Sequence, residues 1–143
     1  MSESLNAALI HAQSMHQQVC RNAFSKLDLS EGQPKILLRL YHNDGLLQKE
    51  LSEKCGVKPA TMTSLLTNMI FKGLVEKKEA RVPGGKHGYQ IFLTAKGRET
   101  AEQVAKIMNR IEDACFQDFS DKEKKRIIEY LGRIEDNLKN YYG

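Results

Sequence analysis

At 143 residues, with 41% apolar and 28% charged side chains, no tryptophan and three prolines, the chain has room for one core with helical appendages but not for two enzyme-sized domains, and it is neither disordered nor collagen-like in composition. No run approaches the ~20 apolar residues of a bilayer span, and the leading MSESLNAALIHAQ has neither a basic start nor a long apolar stretch, so a cytoplasmic chain with no membrane partner is expected. The net charge of +4 is uneven: residues 47–97 hold nine basic and four acidic side chains and the rest 13 and 14, which turns the middle toward a polyanion and leaves the two arms another task.

In the first arm Leu5, Leu9, Ala12, Met15 or His16, Val19, Ala23 and Leu27 recur at steps of three and four without a breaker, which predicts one long amphipathic helix ending near Asp28. Ser30 followed by Gln33 has the spacing of a capping box and predicts a new helix from there through Ile36, Leu37, Leu40 and Tyr41. Asn43, Asp44 and Gly45 mark a turn.

A short helix fits Gln48 to Lys54, with Leu47 and Leu51 inward and Gly56 able to take the left-handed conformation that ends it. Pro59 suits the first turn of the next helix, for which Met62, Leu65, Leu66, Met69 and Ile70 form the buried stripe and Gly73 the stop. Leu74 and Val75, the loop ARVPGGKHG and then YQIFLT read as a two-stranded hairpin with a polar, glycine-rich tip. Beyond Thr94, Ala101, Val104, Met108, Ile111 and Cys115 follow the 3,4 spacing of a helical seam. Ser120 with Glu123 offers a further capping box, after which Ile127, Leu131, Ile134, Leu138 and Tyr141 repeat the seam. The long helices outside the middle thus each carry a stripe that needs a partner.

The segment LQKELSEKCGVKPATMTSLLTNM has the layout of a helix-turn-helix: small Ser52 where two helices cross, Gly56 in the turn, and inward Met62 and Leu65 on the second helix. Its outward positions are Lys58, Ala60, Thr61, Thr63, Ser64, Thr67 and Asn68, with Pro59 at the start and Lys72 at the end. Hydroxyls and a carboxamide there suit base edges and phosphates of double-stranded DNA, and the methyls of Ala60 and Thr61 suit thymine; the plain alternative is a solvated face. The following hairpin, with Lys77, Lys78, Arg81, Lys86 and His87, completes a winged helix whose wing lies along the backbone or dips into the minor groove.

From Leu29 to Gly97, LSEGQPKILLRLY, the helix-turn-helix core, KGLVEKKE and FLTAKG closely resemble the MarR family of bacterial regulators, with PAT and LTAKG the more specific pieces. The resemblance implies a mainly α fold with a small β-hairpin wing: an N-terminal dimerisation helix over residues 1–28, a winged helix-turn-helix over 29–97 and C-terminal dimerisation helices over 98–143. It also implies a homodimer on a palindromic operator, repression, and release by a small aromatic effector seated between the dimer helices and the winged domain. Where the family commonly has recognition-helix arginine this chain has Ser64 and Asn68, which shifts the expected affinity to the wing and Lys72. The family's wing aspartate and arginine, a DxR element, fall on Gly85, Lys86 and His87, so Arg81 and Lys86 are the expected substitutes.

His16 and Cys20 sit one turn apart, with His11 nearby, a spacing that suits a metal pair or an imidazolium-activated thiol; ordinary packing is the favoured reading. The three widely spaced cysteines make neither a disulfide framework nor a zinc knuckle, and no cofactor is expected. No nucleophile with its base, carboxylate pair or phosphate loop is recognisable, so an enzyme is not expected. The rival readings are a winged helix used for protein contacts and a sequence-tolerant architectural DNA binder.

Overall fold

The computed structural model describes residues 4–81, 84–85 and 87–142. Along them run α1 (Leu5–Phe24), α2 (Gln33–His42), β1 (Leu46–Leu47), α3 (Gln48–Cys55), α4 (Pro59–Phe71), β2 (Val75–Arg81), β3 (His87–Leu93), α5 (Ala95–Cys115) and α6 (Asp121–Lys139). The fold is mainly helical with a small antiparallel sheet, ordered β1-β3-β2. Contacts divide the chain into two compact units, residues 1–109 and 110–143.

In the first unit the core is built from Ile36, Leu37 and Leu40 of α2, Leu51 of α3, Met62, Leu66 and Met69 of α4, Val75 and Ile91 of the sheet, and Ala101 and Val104 of α5, each at most 2% exposed. These are the inward positions at helical or strand spacing, so one apolar face per element accounts for the core. Ile70, expected in the α4 stripe, is 41% exposed, because the stripe turns away from it before the helix ends. The N-terminus of α1 is capped by Ser4, whose hydroxyl accepts from the Ala7 N–H at 3.1 Å.

The α2 start differs from expectation. Ser30 does not cap it; the helix begins at Gln33, after Gly32 at φ 95° and with Pro34 in its first turn. The Gln33 side chain nevertheless reaches back, Oε1 accepting from the Ser30 N–H at 3.0 Å, so only half of the capping box forms and it closes the turn before the helix.

The sheet has a third strand that sequence spacing did not mark. Gly45 (φ 79°) turns the chain so that Leu46 and Leu47 pair with Ile91 and Gln90, a strand of two residues that is too short to alternate. Asp44 fixes this junction: Oδ1 accepts from the Leu93 N–H at 2.9 Å and Oδ2 from Arg98 Nη2 at 3.0 Å. The β2–β3 ladder runs from Val75↔Leu93 out to Arg81↔His87, so Ala80, Arg81, His87 and Gly88, expected in the loop, belong to the strands. Ladder bonds to the partner strand, rather than side-chain pattern, carry it that far.

The clamp between α4 and α5 explains the LTAKG segment. Thr94 Oγ1 donates to the Gly73 carbonyl at 2.6 Å and accepts from the Gly97 N–H at 2.9 Å, and Lys96 Nζ donates to the Lys72 carbonyl at 2.8 Å. Gly97 lies so close to the Leu74 carbonyl that a side chain there would overlap it.

In the second unit the turn after α5 carries Phe116 and Phe119 edge to face, at 5.8 Å between ring centres. The Ser120–Glu123 capping box forms as expected: the Ser120 hydroxyl accepts from the Glu123 N–H at 3.1 Å, and a Glu123 carboxylate oxygen from the Ser120 N–H at 2.8 Å. Helix α6 has no buried residue.

Candidate nucleic-acid interface

The α3–α4 crossing follows from small Ser52, 6% exposed, and Gly56, whose φ of 64° ends α3. The Val57 N–H donates to the Ser52 carbonyl at 3.0 Å and closes the turn. With Met62, Leu66 and Met69 inward, the opposite face of α4 is formed by Ala60, Ser64, Thr67 and Phe71 and flanked by Thr61 and Asn68 on one side and Pro59 and Thr63 on the other. All of these are exposed, as is Lys58 before the helix.

Their hydrogen-bonding capacities differ. Thr63 Oγ1 donates to the Pro59 carbonyl at 3.0 Å and accepts from Gln48 Nε2 at 3.1 Å; Thr67 Oγ1 donates to the Thr63 carbonyl at 2.8 Å. Both hydroxyl protons are therefore used within the helix, which leaves these residues a lone pair and a methyl for a ligand. Among the described residues the hydroxyls of Thr61 and Ser64 make no such bond and keep both donor and acceptor. Asn68 Oδ1 accepts from Nε2 of the fully buried Gln33 at 2.7 Å.

Lys72 has a tertiary engagement that its sequence position does not indicate. Its side chain is 23% exposed and its Nζ donates to the Asp28 carbonyl at 2.7 Å, which ties the end of α4 to the α1–α2 turn. In the hairpin, strand alternation puts Lys77, Glu79, Arg81, His87 and Tyr89 on one face and Glu76, Lys78, Gln90 and Phe92 on the other. Lys77 Nζ lies 4.2 Å from the centre of the Tyr89 ring and Lys78 Nζ 5.0 Å from that of Phe92, so the two adjacent lysines serve opposite faces. Lys86 lies outside the described residues.

His16 and Cys20 do come together, Sγ 3.8 Å from Nδ1, and both line a cleft of about 510 Å³ between α1, the α1–α2 turn, α2 and Met108. Arg21 and Lys35 bring positive charge to it, Phe24 and Leu38 apolar surface, and Glu31 a carboxylate. Among the described residues no group of three or more His, Cys, Asp or Glu side chains is arranged to hold a metal. Burial pushes the Cys55 thiol up from its ordinary range, with partial opposition from Lys35 and Arg39.

Two residues at this face escaped sequence reasoning. Gln33 has the spacing of a cap, yet it also occupies the inward spacing of Ile36, Leu37 and Leu40, and a polar residue at a core position is itself a signal. Phe71, 89% exposed, continues the Ala60–Ser64–Thr67 line, and an aromatic beside Ile70 gives no sequence hint of facing outward.

Comparison with known proteins gives a consistent picture. Residues 29–80 match the model of the MarR family. The chain is 30% identical to the HTH-type transcriptional repressor YetL of Bacillus subtilis (strain 168) over 122 residues, 84% of this chain and 72% of that one. Among solved structures it resembles a MarR protein from Peptoclostridium difficile DA00132 at 28% identity and a TM-score of 0.80, with 98% and 93% of the two chains covered. It also resembles the transcriptional repressor CouR bound to a 23-mer DNA duplex at 25% identity and a TM-score of 0.78, with 93% of each chain covered.

Proposed function

The chain belongs to the MarR family of transcriptional regulators, and from that premise we propose that two copies bind a pseudo-palindromic DNA operator, with one α4 of each in the major groove, and repress transcription from it. The observation that carries this reading is the outward face of α4: small, polar, exposed and flanked by a basic hairpin. Thr61 and Ser64 are the residues with hydroxyl donors to offer base edges or phosphates; Thr63 and Thr67 offer acceptors and methyls; Lys58, Lys77, Lys78, Arg81 and Lys86 supply phosphate neutralisation, with His87 beside Arg81.

The stripes of α1 and α6 support the pairing. Leu5, Leu9, Met15 and Val19 of α1 are 54, 39, 60 and 41% exposed, and Leu131 and Leu138 of α6 are 47 and 62% exposed, so each helix carries apolar surface that a second copy would cover. Residues 1–28 and 98–143 are accordingly the dimerisation segments of this reading, and 29–97 its DNA-binding part. Repression is favoured by the likeness to YetL and CouR, both named as repressors. The cleft beside His16 is within the size range of small-ligand sites, and its apolar walls with Arg21 and Lys35 suit a small aromatic anion as releasing effector.

A salt titration of duplex binding tests the reading. A dimer meeting 6–10 phosphates loses about 10³–10⁵-fold in affinity between about 50 and 200 mM salt. A weak salt dependence, with no preference among duplexes, would favour a protein-docking role for the α4 face.

A further inference from the structure

Resting on the DNA-binding reading, we propose that Gln33 is a positioning residue that locks the Asn68 carboxamide with its N–H groups outward, so that Asn68 presents only hydrogen-bond donors to DNA and selects guanine at its position in each half-site.

The lock follows from the order of donors and acceptors. The Ser30 backbone N–H can only donate, so the Gln33 atom 3.0 Å from it must be the carbonyl oxygen Oε1. The other end of that carboxamide is then Nε2, which can only donate, so the Asn68 atom at 2.7 Å must be Oδ1. Gln33 is fully buried, and turning it over would set two N–H donors against each other in the interior. The backbone thus fixes Gln33, and Gln33 fixes Asn68. Asn68 is exposed on α4; its Oδ1 is turned toward the buried Gln33, with one lone pair left beside that bond, and Nδ2 with its two N–H donors is the end that faces away from it.

With the oxygen turned inward, the usual pairing of asparagine with adenine, which needs the oxygen and the nitrogen together to meet N6 and N7, is disfavoured. An outward amide of donors alone fits the O6 and N7 acceptors of guanine. It meets no acceptor on the N4 amine of cytosine, a mismatched donor at N6 of adenine, and in thymine the single acceptor O4 beside a methyl group, where guanine offers two acceptors.

The test is selection of bound duplexes from a random pool, followed by titration of the selected site with each base at the Asn68 position, for the full chain and three variants. The unaltered chain is expected to prefer guanine there by about tenfold, the scale of a good base contact. Asn68→Asp, at an exposed site, keeps an oxygen toward Gln33 but places an acceptor outward, and it should exchange guanine for cytosine or adenine whatever its loss of overall affinity. Gln33→Met, neutral and of similar size, frees the carboxamide to turn and should let adenine bind as well as guanine. Adding Gln33→Met to Asn68→Asp should leave the preferred base unchanged, since both outward choices are then oxygen; a merely structural Gln33 would lower all affinities alike and never change the base. Retention of the guanine preference by folded Gln33→Met, or no change of base with Asn68→Asp, overturns the lock while leaving DNA reading intact. An unaltered chain that enriches no sequence overturns the DNA reading itself.

Discussion

Lys72 at the end of α4 donates from Nζ to the carbonyl of Asp28 at 2.7 Å, binding the candidate recognition helix to the turn between α1 and α2. That turn also supplies Ser30 to the cleft wall and to the Gln33 carboxamide. The C-terminal part of α4 is therefore held twice, by Lys72 at its cap and by Gln33 through Asn68 one turn earlier.

Lys72→Met should destabilise the fold by about 1 kcal/mol, less than the ~1.5–3 kcal/mol of a hydrogen bond to a charged group because this one is partly solvated. Urea unfolding measures this. If Lys72 is an anchor, the salt slope of DNA binding stays as it was; a slope smaller by about 2, about 1 for each copy, would instead make Lys72 a phosphate contact.

Arg81→Ala is expected to do the opposite. Arg81 is exposed and stands across the ladder from His87, so stability should hold within about 0.5 kcal/mol. Affinity should fall for every sequence alike, with a salt slope lower by about 2, about 1 for each copy in the dimer. Ser64→Ala, in contrast, should alter the ranking of duplexes with little effect on the slope.

Gly97→Ala should cost about 3 kcal/mol or more, because the Leu74 carbonyl occupies the place of the new methyl and both belong to packed backbone. A lowered melting temperature with intact helical circular dichroism at low temperature is the expected result. An unchanged melting temperature would mean that α5 and Leu74 are not in this contact.

The α6 capping box makes a pH prediction. Hydrogen bonds from the Ser120 backbone and side chain hold the Glu123 carboxyl below its ordinary range. Its folded pKa is thus depressed, and the stability it contributes is present above the unfolded carboxylate pKa and is lost as pH falls through the folded value. Glu123→Gln should flatten that part of the acid limb of a melting-temperature profile and leave the alkaline limb unchanged.

Sequence periodicity was sufficient wherever one residue type repeats on one face. Ile36, Leu37 and Leu40, or Met62, Leu66 and Met69, could be placed inward from spacing alone, and Gly56 with Ser52 located the helix-turn-helix. It failed where structure depends on partners distant in the chain. The pairing of Leu46 and Leu47 with β3, the extension of β2 to Arg81, and the engagement of Lys72 by Asp28 all depend on tertiary neighbours. The polar face of α4 was legible as a face. Which of its atoms remain available was not, because Thr63, Thr67 and Asn68 form hydrogen bonds whose partners only the folded chain brings near.

Sequencing of duplexes retained by the protein from a random pool bears most directly on the claim that paired α4 helices read DNA. The account predicts two inverted half-sites whose centres lie about one helical turn, roughly 34–36 Å, apart. Recovery of a pool no different from the input, or of a single half-site without its inverted mate, would contradict it.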